Sequence, residues 1–492
     1  MRFSEYANHD ATGLAALVAE GEVAPDELLD MALMRLEEVR GLGAVPLLQE
    51  GAARAAIRDG LPDGPLKGVP FLLKDLGAEA ATHPSHQGSR LTESTEWPVD
   101  SAVFERLRAA GLVTFGRTAA PENGIGPVTE AAVYGAPTRN PWDTSRTPGG
   151  SSGGSGAAVA AGIVPAAHGS DGGGSVRIPA SCCGLLGLKA TRARLPDGPY
   201  AGEGWGGMAI EGFLTRSVRD TAALLDATAG PDLGSPYPPP PMTESFVAAI
   251  ARPPRRLRVA LCDTTFDGAP VHPDCAEAAG DAGRLLESLG HHVEPARPTA
   301  NHADMMAAWT DIVACGTALT IRGALVKAGA VPRGAPLAEV ERALPAGTVE
   351  GIARGALRHA ATLSGADYLS AVNRIHAYGR EMAAFLTEYD ALLSPTLAEP
   401  PALLGRFAHD REDYVDYRTG PEGVFAYSPF CAAFNASGQP AASVPLHWAK
   451  GLPIGVHVAL PFGADAELLS LCAELEAARP WFDRRPAAGI PA

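Results

Sequence analysis

The chain has no surplus of positive charge: 40 Lys and Arg stand against 56 Asp and Glu, a formal net charge of -16, and no basic run offers a track for phosphates. Nucleic acid is thereby excluded as an expected ligand. Long apolar runs are missing too, since the longest stretches are interrupted by Gly or Pro and fall short of the ~20 residues that a membrane helix needs. The opening MRFSEYANHDATG carries charge where a secretory leader has an apolar core. A cytoplasmic protein is therefore expected. The seven cysteines, at 182, 183, 262, 275, 315, 431 and 472, form no C-x-x-C pair. That spacing suits neither a disulfide framework nor a zinc site, and most of these thiols are expected as small buried hydrophobes.

What is present is an ordinary globular composition, 46% hydrophobic and 20% charged, in a chain long enough for a large core. Amphipathic helices are predicted over 11–20 and 25–40, followed by a strand near 45–48 and a helix to Arg58. Alternation then sets in: strand 69–73, helix 101–110, strand 112–115, helix 154–162, strand near 163–167 and strand 185–190. Such alternation predicts an α/β fold with helices layered on a mixed, mostly parallel central sheet. A Pro-rich surface connection spans 226–256, with SPYPPPP at 235–241. A strand at 257–263 and a helix at 275–290 follow, then a mostly helical stretch over 301–380, a strand pair at 442–446 and 452–460, and a closing helix at 464–478. The whole of 1–492 reads as one unit, with residues 1–65 packing on it and about 230–430 forming a variable part that caps the substrate.

TPGGSSGGSGAAVAAG, residues 147–162, holds six glycines and three serines. Composition alone suggests a linker, but structured patterns flank it closely and a second cluster, GSDGGGSVRIP (169–179), follows. A phosphate loop requires Lys followed by Ser or Thr after the glycines, and none is there. GGSSG matches G-x-S-x-G, yet NPWDTSRTP precedes it where a nucleophile elbow needs a buried strand. The histidines His447 and His457, available to such a serine enzyme, lie in strand-like contexts.

Ser-Lys chemistry is the remaining route, because a lysine kept neutral by a nonpolar setting can take a hydroxyl proton. Lys74 lies in GVPFLLKDL, at the end of an apolar strand. Taken alone, a solvated lysine is the plainer reading. In DGGGS (171–175), however, consecutive glycine N–H groups can converge on one point beside Ser175, as an oxyanion hole requires. A simple tight turn is the competing reading there.

Together, GVPFLLKDL, PGGSSGGSGAAVAAG and GSDGGGSVRIPASCCGLLGLKAT resemble the amidase signature family in order and spacing, and FNASGQPAASVPL and GLPIGVHV extend the resemblance over nearly the whole chain. Within that family the pattern is most similar to the 6-aminohexanoate cyclic dimer hydrolase type. The resemblance implies that Ser175 attacks the carbonyl, that Ser151, on a cis peptide, relays the proton, and that neutral Lys74 is the base. It also implies oxyanion donors at the backbone of Gly172, Gly173, Gly174 and Ser175. One departure is Gly172, where the family usually carries Thr or Ile; it either loosens the hole or opens room beside the acyl group. Asp171 and Arg177 are expected to brace the turn, Ser152 and Ser155 to serve as helix-start or network hydroxyls, and His168 to be structural. By the same resemblance, the PENGIG loop (121–126) occupies the position of a family loop that lines the acyl pocket, which makes Asn123, Gly124 and Ile125 candidate contacts, and Cys315 of a mid-chain helix is a further one.

The implied function is hydrolysis of amides, with carbamates (as in urethanases) and esters as further candidates. The implied protein is a monomer or homodimer acting on a small molecule, with no cofactor or metal. Two alternatives stand beside it: the glutamine-amidase subunit of a tRNA-dependent amidotransferase complex, and a non-catalytic member that binds ligand only.

Overall fold

The computed structural model describes residues 1–487. Among these residues eleven strands form one continuous sheet: β1 (Leu47–Leu48), β2 (Pro70–Lys74), β3 (Val113–Thr118), β4 (Ala166–Asp171), β5 (Leu186–Lys189), β6 (Ile210–Thr215), β7 (Arg258–Leu261), β8 (His292–Pro295), β9 (Ala391–Pro395), β10 (Ala441–Ala449) and β11 (Leu452–Ala459). Their order is β1-β3-β2-β4-β6-β5-β10-β11-β9-β7-β8. β3-β2-β4 and β9-β7-β8 are parallel, as the alternating pattern leads one to expect. The six remaining pairings are antiparallel, so the sheet is mixed and not mostly parallel. The difference lies in the middle of the sheet, where β6 inserts antiparallel between β4 and β5 and the β10–β11 hairpin continues the antiparallel run.

Every residue of β2 and β3 is enclosed, and β4 and β6 are buried apart from half-buried Ser170 and Glu211. Continuous apolar or small-residue runs such as PFLLK and VTFGRT belong in a sheet covered on both faces. Crossovers containing helices Ala102–Ala109 and Gly153–Ala160 join β2 to β3 and β3 to β4. The first of these helices starts on Ser101, whose hydroxyl accepts from the Phe104 N–H. The mid-chain region is helical as predicted, its longest element being His302–Lys327, capped by Asn301. Among the described residues no helix is long and apolar enough to cross a membrane. Six cysteines are buried as small apolar groups and Cys315 is half-buried.

Topology fixes where the chemistry collects. β2 and β4 run parallel and end at Lys74 and Asp171, while β6, antiparallel to β4, begins at the same edge with Ser170 opposite Glu211 and Asp171 opposite Ile210. The carboxyl ends of parallel strands are where layered α/β folds place ligands.

Candidate active site

Lys74 is completely enclosed although it ends a strand. Its Nζ stands 2.7 Å from Ser151 Oγ and 2.9 Å from Ser170 Oγ. Burial disfavours its charged form and lowers its pKa from 10.5 to about 7, against the opposing pull of Glu211 and Asp171. The amine is therefore substantially neutral near pH 7, the state in which its lone pair can accept a hydroxyl proton.

The backbone around it is tied down. The Lys74 N–H donates to Nδ1 of His168 at 3.2 Å, and Nε2 of that ring lies 2.8 Å from the Glu211 carboxylate. His168 thus takes the tautomer with its proton on Nε2 and acts as a strut between strands. The Lys74 carbonyl accepts from the Arg117 guanidinium at 2.8 Å, which also holds the carbonyls of His83, Gly77 and Ala78 in the following loop. The period of two along β4 sets His168 and Ser170 on one face, toward Lys74.

Ser151 follows a cis peptide bond from Gly150. A β-carbon on Gly150 would stand 2.5 Å from the backbone N and O of Val128, so only glycine fits there. Helix Gly153–Ala160 departs at once from the serines and packs against the end of β3: a β-carbon on Gly154 would lie 2.4 Å from the Ala119 nitrogen. Close packing is the reason for this glycine block, and a linker it is not. Ser152 shares hydrogen bonds with the Ser170 backbone at 3.3 Å, and Ser155 donates to the His168 carbonyl at 2.7 Å, both network hydroxyls as expected.

The second cluster is organised around Asp171. Its carboxylate accepts from the N–H groups of Gly174 at 2.7 Å and Val176 at 3.1 Å, from Nε and Nη2 of Arg177 at 3.0 and 2.9 Å, and from the Asn435 amide at 2.9 Å. Burial alone raises the pKa of a carboxylate, but the Arg177 guanidinium and these donors hold Asp171 well below the usual range. This is the brace anticipated from sequence, and it corrects one expectation. The Gly174 N–H is spent on Asp171 and is not available to an oxyanion. The amides of Gly172, Gly173 and Ser175 take no protein acceptor among the described residues. Ser175 is half-buried and its hydroxyl has no protein hydrogen-bond partner among them.

Ser151, Ser170, Gly172 and Ser175 open on one cavity of about 230 Å³. Of the other predicted contacts, Asn123 and Gly124 line it, whereas Ile125 and Cys315 do not. Ile125 is turned into the apolar core. On helix His302–Lys327 the face toward the cavity is that of Thr320, and Cys315, five residues earlier, lies off it. The carboxylates of Glu79, Asp197 and Glu211 also line the cavity. Burial, reinforced by repulsion from Glu211, pushes Glu79 up to about 7; burial and its acidic neighbours do the same to Asp197. A larger cleft, about 1030 Å³, lies around Trp142, His272 and Leu403 and contains none of the predicted site residues.

Sequence reasoning missed Ser170, the second hydroxyl on Lys74, although its position two residues after His168 on a strand was the available signal. It also missed Glu211 and Trp205, both of which line the cavity and come from a segment with no strong periodicity.

The Amidase family profile matches residues 44–469. The chain belongs to the amidase signature family. This amidase is 35% identical over 492 residues to the 6-aminohexanoate-cyclic-dimer hydrolase of Paenarthrobacter ureafaciens, with 97% of this chain and 96% of that one covered. Its fold superposes on the structure of a 6-aminohexanoate cyclic dimer hydrolase with a TM-score of 0.88 at 33% identity, covering 98% and 99% of the two chains. A bacterial aryl acylamidase of the same family gives a TM-score of 0.82 at 27% identity, with 96% of each chain covered.

Proposed function

We propose that this amidase cleaves small or oligomeric amides through an acyl-enzyme on Ser175. The single observation that carries the reading is the 2.7 Å contact between a fully enclosed Lys74 amine and the Ser151 hydroxyl. An amine with a pKa of about 7 is matched to proton transfer at neutral pH. Ser175 Oγ bonds to the substrate carbonyl carbon and its proton passes to Ser151, whose own proton passes to Lys74. The developing oxyanion is held by the amides of Gly173 and Ser175, with Gly172 beside them. Collapse breaks the C–N bond, and the proton on Lys74 returns through Ser151 to the leaving amine. Water then repeats the sequence on the ester: its proton goes to the same relay, its oxygen bonds to the acyl carbon, and Ser175 leaves as the alcohol.

Carbamates and esters present the same carbonyl and fall within the proposed range. The acidic lining argues against acyl groups that carry a carboxylate, since like charges at close range repel. Linear and cyclic 6-aminohexanoate oligomers are the first substrates to try, given the names of the relatives.

The test is amine release from a panel of anilides, aliphatic amides, carbamates and aminohexanoate oligomers, by wild type and Ser175→Ala. Turnover of at least one amide class, reduced at least a thousandfold by the substitution, is the expected result. Near-normal turnover by Ser175→Ala overturns the assignment. Glutaminase activity alone, without cleavage of other amides, favours the amidotransferase-subunit reading.

A further inference from the structure

Gly172, the position where this chain departs from the family's usual Thr or Ile, is not followed by empty space. A β-carbon there would stand 2.7 Å from Cε3 and Cζ3 of the Trp205 indole. At the other end of the indole, a β-carbon on Gly316 would stand 2.7 Å from Cδ1 and 2.8 Å from Nε1. The indole is thus clasped between two glycines that are 144 residues apart in the chain. Gly316 lies one helical turn before Thr320, on the cavity face of helix His302–Lys327. Trp205 itself has φ +50, a backbone conformation uncommon for a bulky residue. Such an outlier persists where surrounding structure imposes it, and it directs attention to function. The ring lines the same cavity as Ser151, Gly172 and Ser175.

Resting on the reading of Ser175 as nucleophile, we infer that Trp205 is the specificity-determining wall of the acyl site, positioned by Gly172 and Gly316. The indole fills the volume that a β-branched residue at 172 would take and extends across to the mid-chain helix, so the space beside the attacked carbon is a slot with the indole as one wall. Unbranched polymethylene acyl chains lie along that wall. Groups that are branched or cyclic at the atom next to the carbonyl collide with it. A β-carbon at either neighbour would force the indole to shift, so the three positions act as one unit.

The test labels the purified full-length protein with hexane-1-sulfonyl fluoride or cyclohexanesulfonyl fluoride, and reads the adduct at residue 175 by peptide mass spectrometry. In this reaction the serine oxygen bonds to sulfur, fluoride leaves and the hydroxyl proton passes to the relay. Wild type is expected to favour the linear reagent by at least tenfold in rate. Trp205→Ala is expected to bring that preference down to threefold or less. Gly316→Ala, a change that a helix tolerates, is expected to alter the preference at least threefold when Trp205 is present and to leave it unchanged in the Trp205→Ala background. The ratio is taken within one preparation, so partial misfolding of a variant does not move it. Label at residue 175 with the same preference in wild type and Trp205→Ala overturns the inference while leaving the nucleophile assignment standing. An equal effect of Gly316→Ala in both backgrounds overturns the clasp. Absence of label at residue 175 in wild type overturns the nucleophile assignment and this inference with it.

Discussion

Replacing Lys74 by Met keeps most of the side-chain volume and removes the amine, and the structure predicts that the fold gains stability at neutral pH while activity disappears. In the unfolded chain the lysine titrates at its ordinary 10.5, and in the folded chain at about 7. Between those values the unfolded state binds the extra proton, so wild-type stability rises with pH across this window and is lowest at and below its acid end. At ~1.4 kcal/mol per pH unit the fall from 10.5 to about 7 withholds about 5 kcal/mol at pH 6.5 and only about 1 kcal/mol at pH 10. Against this, Met forfeits the contacts to Ser151 and Ser170, worth about 1 kcal/mol each. The Met variant is therefore expected to be more stable than wild type by about 3 kcal/mol at pH 6.5, a rise of roughly 3 °C in midpoint for a chain of this size. By pH 10 it should be the less stable protein by about 1 kcal/mol. Paired thermal melts of both proteins at the two pH values make the measurement, and comparison as a difference cancels the other titrating groups. A stability difference that does not change with pH would refute the account of Lys74 as a buried, neutral amine.

Further outcomes follow from the same geometry. kcat/KM should fall on the acid side as pH drops through about 7, where Lys74 gains its proton, and Glu79→Gln should retain that limb; its disappearance in the variant would assign the limb to the carboxylate instead. Ser170→Ala removes one of the two hydroxyls on Lys74 and is expected to reduce kcat about tenfold with KM little changed, measured by steady-state kinetics on an amide the wild type turns over. Asp171→Asn leaves the enclosed Arg177 guanidinium without its counter-charge, and should cost about 3–5 kcal/mol in a denaturant titration together with most of the activity.

The parts of the site visible in the sequence as patterns were those encoded locally, and their roles came from the family resemblance. An apolar strand ending in Lys, glycines packed around serines, and a glycine run before Ser175 each carry their constraint within a few residues, because close packing and backbone approach act on the positions that need them. Gly150 is the plainest case, with the Val128 backbone standing where a side chain would go. Elements set by distant pairing were not legible. β6 is one strand of short, irregular pattern whose identity depends on fitting between β4 and β5, and without it neither Glu211 nor the antiparallel centre of the sheet was apparent. Gly174 reads like its neighbours in DGGGS, and only the geometry of Asp171 withdraws its amide. Gly172 read as possible open room, and the indole that fills it comes from a loop 33 residues downstream. The expectations for Ile125 and Cys315 rest on a family loop position and on a helix, and the side-chain directions that turn them from the cavity are set by the core.

The most direct test of Ser175 as the acylated residue is rapid acid quenching of the wild-type enzyme during turnover of a slowly deacylated ester or anilide, followed by peptide mapping. The account predicts a mass increment equal to the acyl group on the peptide that contains Ser175, absent in Ser175→Ala. Turnover with the acyl mass on another residue, Ser151 included, would contradict it.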